Sequence, residues 1–142
     1  MSKKITTEQV TALAQAALAA KKNSYSPYSH FKVGAAVLAA DGKIYTGTNI
    51  ENASFGLTVC AERNAIFSAV CNGQHKILAL ALCTDPVPNQ PFGTPCGACR
   101  QVMTEFMSAD APVILVAPGK KGTFELFKKP LKNFMPYSFT KF

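Results

Sequence analysis

Two uninterrupted apolar runs of strand length, Ile77 to Cys83 (ILALALC) and Pro112 to Ala117 (PVILVA), constrain this chain more than any other feature in it. A strand that is apolar at every position is covered on both faces, which fits parallel strands flanked by helices. Between the runs lie a Pro-rich loop from Asp85 to Pro95 and a helix from Cys96 to about Ser108. Upstream, Phe31 to Ala40 and Lys43 to Ile50 flank Asp41-Gly42, the strongest short hairpin signal, so these segments are predicted to be antiparallel strands. Cys60 to Asn72 reads as a helix apolar around most of its circumference (Ala61, Ala65, Ile66, Phe67, Ala69, Val70), stopped at Gly73 and predicted to be buried. A first helix opens on the capping box Thr6-x-x-Gln9, carries Val10, Leu13, Ala14, Ala17 and Leu18 on one stripe, and ends near Asn23. Gly119 to Gly122 is a turn, Phe124 to Phe127 a last strand, and Pro130 to Phe142 an aromatic-rich tail. This order predicts an α/β fold: a three-layer α/β/α sandwich around a mixed, roughly five-stranded sheet.

A length of 142 residues with 48% hydrophobic residues suits one domain, residues 1–142, able to bury a core without disulfide staples. Fifteen Lys and Arg against eight Asp and Glu give a net charge of +7, but the basic residues fall in scattered pairs (Lys3-Lys4, Lys21-Lys22, Lys120-Lys121, Lys128-Lys129) rather than one stripe. Attraction to polyanions is permitted by that charge, and no obligate nucleic-acid partner is expected. Residues Met1 to Glu8 are polar and no apolar run approaches the ~18 residues of a membrane span, so no membrane partner is expected and the protein is placed in the cytoplasm or also the nucleus. Five cysteines, an odd number without a secretory signal, point to free thiols or metal ligands.

Three of those cysteines form an arrangement. Cys96 and Cys99 sit three apart at a helix start after Pro95, and Cys60 begins the other apolar helix. Residues three apart on a helix are neighbours, and Zn–S bonds near 2.3 Å require sulfurs roughly 3.8 Å apart, within reach of side chains so spaced. Helix N-termini favour the thiolates that metals need. A catalytic zinc site has three protein ligands and an open fourth position, so Cys60, Cys96 and Cys99 predict one Zn²⁺ per chain. Glu62, two residues after Cys60, is placed to be a base beside the metal rather than a ligand. Three thiolates on Zn²⁺ leave a local charge of −1, which a neighbouring cation relieves, and Arg63 and Arg100 are assigned that charge-tuning role. Cys71 and Cys83 read as buried structural cysteines, and His30 and His75 as structural or solvated.

The pattern C-x-E followed 36 positions later by P-C-x-x-C is a zinc deaminase signature, with Cys60 in the place often held by His. Ser26 to Val37 (SPYSHFKVGAAV), Asn49 to Ala53 (NIENA), Cys60 to Arg63 (CAER) and Thr94 to Gln101 (TPCGACRQ) together resemble the small homotetrameric cytidine deaminases, over nearly the whole chain from about Tyr25 to Phe139. The resemblance implies the cytidine deaminase-like fold and hydrolytic deamination of cytidine and 2′-deoxycytidine in pyrimidine salvage. It implies that Cys60, Cys96 and Cys99 hold zinc, that Glu62 moves protons, and that Asn49 and Glu51 bind the ribose hydroxyls. It further implies that Phe31 lines the pyrimidine pocket, that backbone groups of Ala61 and Thr94 contact the base and its amine, and that Phe139 reaches a neighbouring subunit's site. Phe134-Met135 stands where the family's tail has two leucines, and Phe55 where many members have Tyr.

Two other readings use the same residues. A zinc deaminase acting on polynucleotides, or on a nucleoside-like antibiotic, shares the metal motif, but the Asn49-Ile50-Glu51 segment suits a free ribose. A structural zinc module binding nucleic acid would need a fourth protein ligand and exposed stacking aromatics, neither of which the sequence displays.

Overall fold

The computed structural model describes residues 4–142; Lys3 of the first lysine pair lies outside them. Helix α1 (Thr7–Lys21) starts where the capping box places it. Thr6 Oγ1 accepts from the Gln9 N–H at 3.1 Å and Gln9 Oε1 accepts from the Thr6 N–H at 2.9 Å, satisfying two donors that a bare helix end leaves unpaired. Strands β1 (Val33–Ala39) and β2 (Ile44–Thr48) form the hairpin, and its turn is made by Gly42 in the left-handed region at φ +84°. Helix α2 (Ala61–Cys71) is followed by β3 (Ile77–Thr84), α3 (Gly97–Phe106), β4 (Pro112–Pro118) and β5 (Phe124–Pro130).

The strands lie in the order β2-β1-β3-β4-β5. β3 and β4 run parallel, pairing Leu80 with Val113 and Cys83 with Val116, and every other neighbouring pair is antiparallel. The two apolar runs are therefore the parallel pair, and the sheet is mixed and five-stranded as expected. Alternation along each strand feeds two cores. Leu13, Ala14 and Ala17 of α1 pack on Ala36, Leu38, Ala79, Ala81 and Ile114, while α2 and α3 lay Ala65, Ile66, Ala69 and Met103 on Val37, Leu80, Leu82, Val113 and Leu115 of the opposite face. β1 reads as unbroken apolar sequence because both of its faces are covered.

The structure corrects one expectation. α2 is buried on one side only: Ala61, Glu62, Ala65, Ile66 and Ala69 face the core, whereas Phe67 is 43% exposed and Cys71 is exposed rather than buried. A helix in an outer layer has one face on the sheet, so in a single chain its other apolar face meets water. Cys83 is fully buried.

Two glycines set how closely the helices approach. A Cβ on Gly34 would lie 2.2 Å from the Ala17 carbonyl oxygen, and one on Gly47 would lie 2.3 Å from the Ala65 nitrogen and 2.5 Å from the Ala61 oxygen. β2 thus meets the first turns of α2 backbone to backbone. Asn64 Nδ2 donates to the Thr48 carbonyl at 2.8 Å, fixing the same contact laterally.

Candidate active site and metal centre

Two helix N-termini converge beyond the ends of the central strands. Cys60 is the N-cap of α2 and Cys96 the N-cap of α3, with Cys99 in that helix's first turn. The metal-ligating atoms of Cys60, Cys96 and Cys99 all lie within 4.8 Å of one another, and the Cys60 and Cys96 sulfurs are 3.9 Å apart. That separation is close to the edge of a tetrahedron of ~2.3 Å Zn–S bonds. Soft thiols in this geometry fit Zn²⁺, and the triad is the metal-binding cluster found among the described residues.

Charge is arranged around the triad. The neighbouring Cys99 thiol foremost, with Arg63 adding in the same direction, holds the Cys60 thiol down to about 5, while Cys60 and burial push the Cys99 thiol up. Arg63 Nη2 donates to Cys60 Sγ at 3.2 Å, and its Nε is buried with no hydrogen-bond partner. Its guanidinium is shifted further toward the charged form by Cys60. Arg100 is placed differently: Nε donates to the Pro95 carbonyl at 2.7 Å and Nη1 to the Phe134 carbonyl at 2.8 Å, with its cation 5.6 Å from the Phe134 ring centre. It ties the loop before Cys96 to the tail rather than bonding a sulfur.

Glu62, on the first turn of α2, is only 4% exposed. Burial raises its carboxyl to about 7, with the Cys60 charge adding in the same direction. A carboxyl titrating near neutrality both takes and gives a proton at working pH.

Asn49, Ile50 and Glu51 form a short extended strip pinned on both sides. Tyr25 N–H donates to the Asn49 carbonyl and Glu51 N–H to the Tyr25 carbonyl, while Ile50 exchanges two 3.0 Å bonds with Val59, the residue before Cys60. Alternation turns Asn49 and Glu51 to the same side, both buried, and leaves Ile50 outward. Asn49 Oδ1 accepts from the Ser24 hydroxyl and the Val33 N–H, and its Nδ2 donates to the Phe31 carbonyl at 2.8 Å. Glu51 Oε1 accepts from the Tyr28 and Ser29 N–H groups at 2.9 and 3.0 Å, and Oε2 from the Ser29 hydroxyl. These bonds, the Ser29 hydroxyl foremost, hold the Glu51 carboxyl below its ordinary range. Both residues thus build the loop that carries Phe31, which is half-buried.

Of the other expected residues, Ala61 is fully buried at the start of α2 and Thr94 is exposed just before Pro95. His30 and His75 are exposed. Phe139 is 63% exposed, its ring stacked 6.3 Å from that of Phe142, and its carbonyl accepts from Gln101 Nε2 at 2.8 Å. Sequence reasoning missed Ser24, Ser29, Gly47 and Asn64. A glycine inside a strand was the available signal for Gly47, since it marks close backbone approach. Serines in a turn carry none.

The cytidine and deoxycytidylate deaminase zinc-binding region matches residues 7–115. A cytidine deaminase of Halalkalibacterium halodurans is 50% identical over 106 residues, 72% of this chain and 76% of the relative. A probable cytidine deaminase of Dictyostelium discoideum is 39% identical over 134 residues, 94% of this chain and 86% of the relative. The crystal structure of cytidine deaminase from Burkholderia pseudomallei superposes with a TM-score of 0.79 at 39% identity, covering 95% of this chain and all of that one. A match of this extent, in sequence and in fold, around thiols that converge at zinc distances, makes the chain a member of the zinc-binding cytidine and deoxycytidylate deaminases.

Proposed function

We propose that this protein is a cytidine deaminase that hydrolyses cytidine and 2′-deoxycytidine to uridine and 2′-deoxyuridine with release of ammonia, in pyrimidine salvage in the cytoplasm. One observation carries the reading: a buried carboxyl, Glu62, held at the edge of a three-thiol metal site. Cys60, Cys96 and Cys99 hold the ion, which when bound supplies the Lewis acidity that makes water a nucleophile at neutral pH. Glu62 takes a proton from the attacking water and delivers it to N3 as the C–O bond forms at C4 of the pyrimidine. It then passes the second proton to the amine as the C4–N bond breaks and ammonia leaves. Arg63 offsets the negative charge of the thiolates, and the dry surroundings of Glu62 keep its proton transfers from leaking to solvent.

Asn49 and Glu51 read the ribose. After their bonds to the loop, Asn49 retains one amide N–H and Glu51 Oε2 retains acceptor capacity. One hydroxyl satisfies both, which supports acceptance of the ribo- and deoxyribonucleoside alike. Phe31 lines the pyrimidine side, and backbone groups of Ala61 and Thr94 face the base and its amine. Residues 1–142 act as a single domain. The exposed Phe67, Tyr137, Phe139 and Phe142 form apolar surface that association covers. In a homotetramer, Phe139 stacks on the pyrimidine of a neighbouring subunit.

The test is zinc-dependent ammonia release from cytidine, 2′-deoxycytidine, free cytosine and a cytosine-containing oligonucleotide. Turnover of the two nucleosides with little on cytosine or the oligonucleotide is the expected result. Preferential release from the oligonucleotide overturns the substrate assignment.

A further inference from the structure

We propose that the Ser29 hydroxyl is a positioning residue that joins the carboxylate of Glu51 to the backbone of Phe31, locking the two walls of the nucleoside pocket to each other. The inference rests on the nucleoside reading of this site. Ser29 Oγ gives its single proton to Glu51 Oε2 and accepts the Phe31 N–H at 3.0 Å, so one atom spans from the ribose-reading group to the pyrimidine-lining residue. Between Ser29 and Phe31 the chain passes through His30 at φ +58°, a left-handed conformation that is unfavourable for a residue other than glycine. Such a turn persists only when its surroundings hold it. Here the bonds on either side do so: the Ser29 N–H and hydroxyl on Glu51, the His30 N–H on the Ser26 carbonyl at 2.9 Å, and the Phe31 N–H on Ser29.

Removing the hydroxyl has three consequences that a simple packing role lacks. Glu51 loses a donor to its ionised form and titrates at higher pH; the Phe31 N–H loses its acceptor; and the backbone of Phe31 is no longer tied to the carboxylate. His30 is the titratable side chain facing Glu51, and its positive charge also favours the ionised carboxylate.

The test compares zinc-loaded full-length wild type, Ser29→Ala and Ser29→Thr in two arms. In steady-state kinetics on cytidine, Ser29→Ala is expected to raise KM about tenfold with kcat within about twofold. Ser29→Thr, which keeps the hydroxyl, restores the wild-type KM. In NMR without substrate, the Glu51 carboxyl of Ser29→Ala titrates at higher pH and the Phe31 amide exchanges faster. An unchanged Glu51 titration and Phe31 exchange overturn the proposal, as does a KM that Ser29→Ala leaves at the wild-type value. A wild type that leaves cytidine intact overturns the nucleoside reading instead, and the NMR arm then decides the Ser29 link on its own.

Discussion

In the proposed mechanism Glu62 and the three thiols do separate jobs, and single substitutions distinguish them. Glu62→Gln keeps the shape of the side chain but removes its capacity to cycle a proton. It is expected to retain one zinc per chain while losing ~10²–10⁴-fold or more in kcat, the range that positioned acid–base catalysis supplies. Metal content and turnover on the same preparation check this, and near-normal turnover with full zinc removes Glu62 from its role. For the ligands, Cys96→Ala takes away a sulfur 3.9 Å from Cys60 and is expected to strip or weaken zinc binding. Cys71→Ala changes an exposed thiol at the far end of α2 and should leave both zinc and turnover intact. Full zinc occupancy in Cys96→Ala would discard the ligand assignment.

Elements matter here through where they begin. α2 delivers Cys60, Glu62 and Arg63 from its first turn, and that turn rests on Gly47 of β2 with no room for a Cβ. Because the obstructing atoms are backbone, Gly47→Ala must move the helix rather than a flexible side chain. The expected cost is ~1–3 kcal/mol of stability, typical of overpacking, together with a fall in kcat larger than the stability loss explains. Denaturant unfolding and turnover of the folded fraction measure the two effects separately. Stability and kcat both unchanged would show that the β2–α2 contact does not position the site. On the sequence, Gly47 was one more residue of a hairpin strand, since strand alternation says nothing of which helix lies across it.

Whole-molecule cohesion shows in Asp85, where three elements meet. Its carboxylate pairs with Lys21 at the end of α1 at 2.7 Å and accepts the Lys32 N–H at the entrance to β1 at 2.7 Å, just beyond β3. Desolvation pushes its pKa up, but these partners outweigh it and the net shift is down. A depressed carboxylate stabilises the fold fully above its unfolded value, about 3.9, and loses that contribution as the pH falls through the folded value. Asp85→Asn is therefore expected to cost ~1 kcal/mol at pH 7, with the gap to wild type narrowing as the pH falls below the unfolded value towards the lower folded one. Urea unfolding across that range checks the sign, and a gap that widens in acid contradicts it. At the next level of assembly, zinc-dead Cys96→Ala subunits with a normal tail can be mixed with zinc-competent Phe139→Ala subunits. If Phe139 stacks across subunits, contributing roughly 1–3 kcal/mol to substrate binding, mixed tetramers recover activity that neither parent has. Verified mixed tetramers without recovery leave Phe139 a packing role in its own chain.

The sequence by itself determined the order of elements, the parallel character of Ile77 to Cys83 and Pro112 to Ala117, the capped start of α1 and the cluster of three cysteines. Each of these is written in short-range chemistry: periodicity, a capping residue, a turn dipeptide, a spacing between thiols. Tertiary structure alone decided which face of α2 meets water, leaving Cys71 and Phe67 exposed, because a helix apolar all round does not say which side the sheet occupies. It also decided that Arg63 bonds a sulfur at 3.2 Å while Arg100 bonds two carbonyls, although both follow a cysteine closely in sequence. The reason is that a long side chain takes its partner from whatever the packing of other elements brings within reach. Asn49 and Glu51 are the clearest case: the bonds that hold them come from Ser24, Ser29 and Phe31, more than fifteen residues away, and only closure of that loop onto the strip places them there.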